Sequence, residues 1–261
     1  MSINEPSESG HRTAGRVLDI LERLALAPEG SALRDLSHDL DAPKSSLLPL
    51  LRTLVLRGYA NRDAAGNYRL GAKVIQLGSG SLAGMDLRDI ARPLLLQLSQ
   101  KTGESTILAQ LTEDGQGVVY IDKVEGTHRI RVAAAVGELR PLHSTASGKL
   151  LLAWEPRERR ESILKTLKLT RYTTHTITSK TALRAELDRI RRDGFCVNAD
   201  QITIGHCAIA APIFDRDGRV VAACVLSAPK DRVWSKLAAM VKDVLATASD
   251  ISALMGHTPQ P

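Results

Sequence analysis

The residues best suited to chemistry lie in one short run of small polar side chains, Pro141-Leu-His-Ser-Thr-Ala-Ser-Gly148. This run leads into an apolar stretch that predicts a helix over about 146–154. Free N–H groups and the dipole at a helix start favour a carboxylate or another small anion, and Ala146 and Gly148 allow close approach. An ordinary Ser or Thr N-cap gives the same pattern, so the residues by themselves leave both interpretations open.

The signatures of common catalytic and metal sites do not accompany this run. Neither Ser144 nor Ser147 stands in a G-x-S-x-G pattern. The Ser-Gly-Lys at 147–149 lacks the earlier glycine of a phosphate-binding loop, because His143 occupies that position. His206-Cys207 has no second ligand pair at metal spacing, which favours simple packing. We therefore expect no enzyme, no metal and no cofactor, with an enzyme that converts a small acid as the alternative.

The composition indicates a cytoplasmic protein of about two domains. The chain has 261 residues, 43% hydrophobic and 25% charged, which excludes extensive disorder. Its first residues lack the basic and apolar segments of a signal peptide, and no apolar stretch approaches the ~18 residues of a membrane helix. Three cysteines are too few for a disulfide framework, which fits a reducing compartment. We expect no membrane partner.

Charge changes sign within the first 75 residues. Residues 1–41 carry four arginines against eight acidic residues, whereas residues 42–75 carry six basic residues against Asp63 alone. Such a change inside one small domain is typical of a face that binds a polyanion. The net charge of the chain is only +6, so the distribution indicates a nucleic acid more strongly than the total does.

The elements of this segment are those of a winged helix-turn-helix domain. Apolar residues recur at helical spacing in three stretches: Val17 to Leu24, Leu33 to Leu40 and Leu47 to Val55. Ser31 is the expected N-cap of the second helix, and Gly58 suits the position after the third. Two short strands around residues 63–67 predict a hairpin. In this layout the third helix enters the major groove and the hairpin lies along the DNA backbone.

Polar residues off the apolar stripe are the candidates for DNA contact. They are Lys44, Ser45, Ser46 and Arg52 on the third helix, and Arg62 and Arg69 beside the hairpin turn. Hydroxyl and basic groups at a helix start contact phosphates and base edges. A three-helix domain that uses a solvated basic face for protein contacts has the same residues, so a scaffold that binds no DNA stays an alternative.

The chain resembles the IclR family of transcriptional regulators in several motifs that keep the family's order. Residues 43–54, 57–59 and 68–71 are similar to its recognition helix and wing. The similarity continues in Val119–Val124, Pro141–Lys149, Tyr172–Ile177 and Ala210–Asp215. The resemblance implies an α+β protein with an N-terminal winged helix-turn-helix domain and a C-terminal GAF-like or profilin-like effector domain with one antiparallel sheet.

We expect three parts: residues 1–77 for DNA binding, 78–102 as a linker helix for dimerisation, and 103–261 for effector binding. Glycines at 78, 80 and 84 predict a flexible break. The helix from about Asp86 to Lys101 has the spacing of a core helix, and its position also suits a dimer-forming linker. The resemblance implies homodimers, commonly paired into tetramers, on a palindromic double-stranded DNA operator.

The second half alternates between strand and helix patterns. Strands are predicted at 106–111, 118–124, 130–134, 195–198, 208–214 and 220–227, and helices at 146–154, 156–168, 181–193 and 231–255. Strands on both sides of a helical block favour an α+β domain.

The resemblance also implies which residues bind the effector. Carried over by position, they are Ser144, Thr145, Ala146, Gly148, Asn198, Asp200, His206 and Ala208. Val132 and Leu139 are expected as apolar walls, which suits a small organic or aromatic carboxylate. The family often has an acid in place of Asn198 and a cysteine in place of Ala208, so the identity of the effector stays open.

The recognition helix departs from the family at Leu48-Pro49, where a polar or basic pair is usual. A proline inside a helix removes a hydrogen bond and clashes with the carbonyl four residues back, here that of Ser45, at a cost of ~3 kcal/mol. Either Ser46 is the N-cap, which places Pro49 in the first turn, or the helix starts at Pro43 and bends. We favour Ser46 because serine caps well. Both interpretations predict an operator that differs from the family's usual one.

Overall fold

The computed structural model describes residues 12–82, 86–129 and 135–258. The chain divides into two units, Met1–Met85 and Asp86–Pro261. Helices and a two-stranded hairpin form the first unit, and a six-stranded sheet with helices forms the second. In the described parts of the chain, no helix has both the length and the apolar character needed to cross a bilayer.

The first unit has the winged helix-turn-helix order. Its elements are α1 (Arg12–Ala25), α2 (Leu33–Asp39), α3 (Lys44–Leu56), β1 (Ala60–Arg62), β2 (Tyr68–Leu70) and α4 (Ala72–Leu82). Leucines and isoleucines at helical spacing on α1, α2 and α3 bury one face of each helix against Tyr68 of the hairpin. Ser31 forms a β-bridge with Tyr68, and Ala32 precedes α2 without a side-chain cap. The expectation that Ser31 caps this helix is therefore wrong.

Helix α3 begins earlier than we favoured from the sequence. Pro43 is its N-cap, and the Pro43 carbonyl accepts hydrogen bonds from the N–H groups of Ser46 and Leu47, at 2.9 and 3.2 Å. The Ser46 hydroxyl donates to the same carbonyl at 2.8 Å. Pro49 thus lies inside the helix and removes the N–H that the Ser45 carbonyl would accept. The prediction that Ser46 is the N-cap is wrong. The Pro43 carbonyl already accepts the first hydrogen bonds of the helix, which places Ser46 inside its first turn.

The predicted flexible break is also corrected in part. Helix α4 continues through Gly78 and Gly80 to Leu82, while Gly84 lies outside the described residues. Glycine costs only about 1 kcal/mol relative to alanine in a helix. The helix-forming residues that begin at Ala72 therefore carry the helix across both glycines.

The second unit is an antiparallel sheet between two layers of helices. Its elements are α5 (Leu87–Thr102), β3 (Ser105–Leu111), β4 (Val118–Val124), β5 (Leu139–Arg140), α6 (Ala146–Trp154), α7 (Arg157–Thr166), α8 (Lys180–Asp193), β6 (Cys196–Ala199), β7 (His206–Phe214), β8 (Val220–Pro229), α9 (Lys230–Trp234) and α10 (Leu237–Leu254). The strand order is β5-β4-β3-β8-β7-β6, with every neighbouring pair antiparallel. Strand β5 and the break between α9 and α10 are not predicted, and the predicted strand 130–134 lies outside the described residues.

Alternation along the strands builds one core on each face of the sheet. On β3, Ile107 packs in the core with α6 and α8, whereas Leu108 packs in the core with α5 and α10. Residues Ile90, Leu95 and Leu98 of α5 belong to the second core. The helix expected as a linker therefore packs against the sheet, and its part in dimerisation stays a prediction.

Candidate functional site

The first candidate surface is the exposed side of α3. Leu47, Leu51 and Leu54 are buried and Leu50 packs beside them, so the opposite side of the helix faces solvent. Lys44, Ser45, Ser46 and Arg52 are all exposed on this side. Because α3 begins at Lys44, the two serines lie in its first turn, where the Ser45 hydroxyl and the first N–H groups can contact a phosphate, whereas the N–H and the hydroxyl of Ser46 already donate to the Pro43 carbonyl.

The two arginines of the hairpin differ in their surroundings. The Arg69 guanidinium lies 3.3 Å from the Asp63 carboxylate. The hydrogen bond from the Asn67 N–H lowers the pKa of Asp63 most, and Arg69 lowers it further, so this carboxylate stays charged. The Arg62 guanidinium instead lies 5.5 Å from the centre of the Tyr68 ring, and its Nε is 3.5 Å from the Gly66 carbonyl. Arg62 therefore keeps more of its charge available to a phosphate than Arg69 does.

The second candidate site is a narrow cavity at the N-terminus of α6. Its lining combines residues from β4, β5, β6, β7 and β8 with the loop before α6: Tyr120, Arg140, Ser144, Thr145, Ala146, Ser147, Asn198, Ile202, His206, Ala208, Val225 and Ser227. Its volume is about 20 Å³, which is space for one or two water molecules. The cavity must widen to hold an organic molecule.

Six predicted effector residues line this cavity, and three others among the described residues do not. Gly148 does not line the cavity. It lets the loop before α6 pack closely against the helix, because a Cβ at this position would lie 2.5 Å from the Leu142 carbonyl oxygen. Asp200 instead pairs with Lys230 and accepts the N–H of Gly205 at 2.7 Å, which ties down the loop 200–205. The side chain of Leu139 is 63% exposed and lies against Gly117, so it is no wall of this cavity. Val132 lies outside the described residues.

Arg140, the basic group of the cavity, is not among the residues predicted from the sequence. One local signal was present, since Arg140 directly precedes the polar run that begins at Pro141. Tyr120, Ile202 and Ser227 were not predicted either, and they lie far from that run in the chain. Strand pairing brings Tyr120 and Ser227 to the helix start, and the loop between β6 and β7 brings Ile202.

The start of α6 offers hydrogen-bond donors to the cavity. The Thr145 hydroxyl accepts the N–H of Gly148 at 3.0 Å and donates to the Pro141 carbonyl at 2.7 Å. The N–H groups of Ala146 and Ser147 have no partner within the helix, because they belong to its first turn. Burial raises the pKa of the Tyr120 phenol, which therefore stays protonated and can also donate.

Three buried polar atoms around the cavity have no hydrogen-bond partner among the described residues: Arg140 Nε, Ser144 Oγ and Asn198 Oδ1. Arg140 Nη1 pairs with Glu138, and Asn198 Nδ2 donates to the Ser144 carbonyl at 3.0 Å. A buried polar atom without a partner costs about 1–3 kcal/mol. Water or the polar groups of a bound molecule could serve these three atoms.

The histidine of the cavity is neutral at neutral pH. Burial, together with the charge of Arg140, lowers the pKa of His206 to about 4. Its Nε2 lies 2.9 Å from the Ser227 hydroxyl. Arg140 is therefore the positive charge in the described lining.

The cysteine thiols do not suit nucleophilic catalysis. Burial raises the pKa values of the three cysteine thiols to about 11 for Cys196 and about 12 for Cys207 and Cys224, so they stay protonated. Among the described residues, no group of three or more His, Cys, Asp or Glu side chains could hold a metal ion.

Comparisons with known proteins match both units. Residues 13–64 match the IclR helix-turn-helix domain, and residues 79–253 match the C-terminal domain of the bacterial transcriptional regulator IclR. The regulator KdgR of Escherichia coli K12 is 34% identical over 248 residues, which are 94% of this chain and 93% of KdgR.

The chain is also similar to solved structures of such regulators. The Thermotoga maritima IclR structure has a TM-score of 0.62 and 30% identity, and the match covers 95% of this chain and 100% of that one. The C-terminal domain of E. coli KdgR has a TM-score of 0.60 and 36% identity, over 66% of this chain and 100% of that one.

Proposed function

The chain belongs to the IclR family of bacterial transcriptional regulators, and from this premise we propose which DNA and which class of effector it binds. It is a DNA-binding regulator of transcription that responds to a small molecule. An enzyme that converts a small acid is not favoured, because both units match a family of regulators.

The DNA ligand in this proposal is a palindromic operator bound by a homodimer or a pair of dimers. Helix α3 enters the major groove through Lys44, Ser45, Ser46 and Arg52, and the hairpin lies along the phosphates. Leu48 and Pro49 stand where the family usually has polar or basic side chains, so base contacts there are apolar, as with a thymine methyl group. Two half-sites are needed because a single winged helix reads few base pairs. We expect the protein to bind this operator in the cytoplasm.

The effector in this proposal is a small carboxylate. The observation that carries it is the group of unpartnered polar atoms beside Arg140 at the start of α6. Arg140 Nε and the first N–H groups of α6 would hold the carboxylate. Asn198 Oδ1 and Ser144 Oγ would bind a hydroxyl group or a water molecule at the other end of the ligand.

Such a ligand would change the population of two conformations. The cavity of about 20 Å³ has space for water but none for an organic acid. Ile202, on the loop that Asp200 and Lys230 hold, lines the cavity and would have to move outward. A ligand that binds only the widened form shifts the equilibrium toward it, and thereby toward one state of DNA binding.

The test is a DNA-binding titration with the full chain and the DNA that flanks its own gene. Lactate, benzoate and succinate are added in turn, and the shift in operator affinity is measured for wild type and Arg140→Gln. Arg219→Gln is the matched control, because Arg219 is an exposed arginine of the β7–β8 turn, outside the cavity.

We expect one or more monocarboxylates to change operator affinity in the wild type and in Arg219→Gln. Arg140→Gln should bind the operator without acid as the wild type does, and should need about tenfold or more acid for the same response. An unchanged response in Arg140→Gln would contradict the carboxylate assignment. Conversion of the acid during incubation, followed by mass spectrometry, would instead support the enzyme alternative.

A further inference from the structure

A second cavity lies at the opposite end of α6 from the effector cavity. It is formed where the C-terminus of α6 meets the end of β7 and helix α10, and Trp154, Pro212, Phe214, Leu245 and His257 contribute to its lining. Its volume is about 310 Å³. An enclosed apolar cavity of ~150 Å³ holds benzene, and this cavity, which is partly open to solvent, has space for a single-ring molecule.

Aromatic rings are concentrated here although they are scarce in the chain. The sequence has two Trp and two Phe residues, and one of each lines this cavity. The Trp154 and Phe214 rings meet edge to face with centroids 6.5 Å apart, and the Phe214 and His257 rings are stacked at 4.8 Å. One face of Trp154 lies under the Arg191 guanidinium, 5.4 Å from the ring centre, and Phe214 and His257 cover a face of each other, so a further ring would meet mainly the edges of these rings.

The polar groups of the lining leave little for a charged ligand. The Ser252 hydroxyl accepts the N–H of Phe214 at 2.9 Å and donates to the Ala248 carbonyl at 2.6 Å, so it is fully used. The described lining contains no Lys, Arg, Asp or Glu. Ser249 and His257 can each serve one hydrogen bond. The cavity therefore suits a neutral ring with at most one or two polar atoms.

We propose that this cavity, the aromatic cavity, binds a small neutral aromatic molecule. The nine residues of α6 separate it from the effector cavity by about 12 Å at 1.5 Å per residue, so the two cavities can be occupied together. The proposal depends on the lining of the aromatic cavity and not on the carboxylate assignment.

Benzyl alcohol is the probe, and Trp154 is the reporter. Trp234 lies outside the aromatic cavity and is half exposed, so Trp234→Phe in the full chain leaves Trp154 as its single indole. Excitation at 295 nm then reports on Trp154 alone. We expect a saturable change of its emission with benzyl alcohol, and a weaker one with cyclohexylmethanol, which has the same size but no aromatic ring.

Two further substitutions on α10, each in the Trp234→Phe background, separate binding from a general solvent effect. Ser249 is exposed at the rim of the aromatic cavity, so Ser249→Phe fills it without disturbing the core. Lys242→Phe places the same ring on an exposed position outside it.

Ser249→Phe should weaken benzyl alcohol binding by about tenfold or more, and Lys242→Phe by less than about twofold. An excess of lactate should leave the affinity unchanged. A response that does not saturate, or one equal in Ser249→Phe, would overturn the proposal. Displacement by lactate would show instead that benzyl alcohol enters the effector cavity. The saturation of the response and the comparison of Ser249→Phe with Lys242→Phe do not depend on whether Arg140 binds a carboxylate, whereas the lactate control does.

Discussion

The hairpin shows that the surroundings of a basic side chain decide what its charge can do. Arg69 is held by Asp63, whereas Arg62 lies over an aromatic ring and beside a carbonyl group. An arginine that already pairs with a carboxylate gains less from a phosphate, because one interaction replaces another. Sequence position alone made the two residues equivalent candidates.

Arg62→Ala should weaken operator binding more than Arg69→Ala does. If Arg62 contacts a phosphate, its loss should weaken binding to all DNA sequences alike and reduce the slope of log affinity against log salt by about one unit. Arg52→Ala, on α3, should also weaken binding. Fluorescence anisotropy at several salt concentrations measures both quantities, with circular dichroism as the control for folding. Equal, small effects of Arg62→Ala and Arg69→Ala would count against contact between the hairpin and the backbone.

His206 should make the stability of the second unit depend on pH. Its pKa is about 4 in the folded chain and about 6.5 when unfolded, so the unfolded state binds more protons between these values. The stability that His206 contributes is therefore complete above pH 6.5 and is lost as pH falls toward 4. The full difference is on the order of 3 kcal/mol.

Urea unfolding at pH 7 and pH 4.5 checks this prediction, and His206→Gln is the comparison because glutamine does not titrate. Other groups titrate in both proteins and cancel in the difference. The wild type should lose about 2–3 kcal/mol more than His206→Gln between the two pH values. Parallel losses would show that His206 is not kept neutral by burial.

At the scale of elements, helix α3 carries a local conflict. Its apolar stripe favours a helix, and the Pro43 carbonyl accepts its first hydrogen bonds, but Pro49 interrupts the hydrogen bonds in the second turn. The Thr53 hydroxyl donates to the Pro49 carbonyl at 3.0 Å and does not repair the missing bond at Ser45. Packing of Leu47, Leu51 and Leu54 in the core of the first unit outweighs this cost.

Pro49→Ala should therefore stabilise α3. Restoring the hydrogen bond and removing the clash contributes up to ~3 kcal/mol, and the greater freedom of the unfolded chain offsets about 0.4–1 kcal/mol of it. Hydrogen exchange of α3 peptides in the full chain measures the result as slower exchange. Pro93→Ala is a useful control, because Pro93 lies inside α5 and should affect only the second unit. Faster exchange of α3 peptides in Pro49→Ala than in the wild type would contradict this expectation and would support Ser46 as the N-cap.

At the scale of the whole molecule, the two units have separate cores. The core of the first unit ends at residue 70, and the two cores of the second unit begin at residue 87. A division of this kind lets one unit bind DNA and the other bind a small molecule, each with its own stability.

The fragment Asp86–Pro261 should fold by itself, since its cores use no residue of the first unit. The solved C-terminal domain of KdgR is a relative of this part alone. We expect a single cooperative urea transition by circular dichroism and no measurable affinity for the operator DNA. The full chain, measured in parallel, should bind the DNA. A fragment without a cooperative transition would show that the second unit depends on the first.

The sequence by itself determined the features that depend on neighbours in the chain. Helical spacing predicted α6 with the observed ends, Ala146 and Trp154, and the turn residues predicted the hairpin of the first unit. The polar run from Pro141 to Gly148 fitted either an N-cap or a binding site at the start of α6; Thr145 is the N-cap, and the binding site stays a prediction. Each of these signals lies within about ten residues, so no tertiary information was needed.

Only the tertiary structure decided which distant residues meet at that helix start. Arg140, Tyr120 and Ser227 reach the cavity from three strands, and the order β5-β4-β3-β8-β7-β6 is set by long-range pairing that no local pattern encodes. The same pairing leaves Leu139 in solvent, and loop contacts direct Asp200 to Lys230. Local spacing determines the helices and turns of a chain, whereas burial and strand register decide the composition of a cavity.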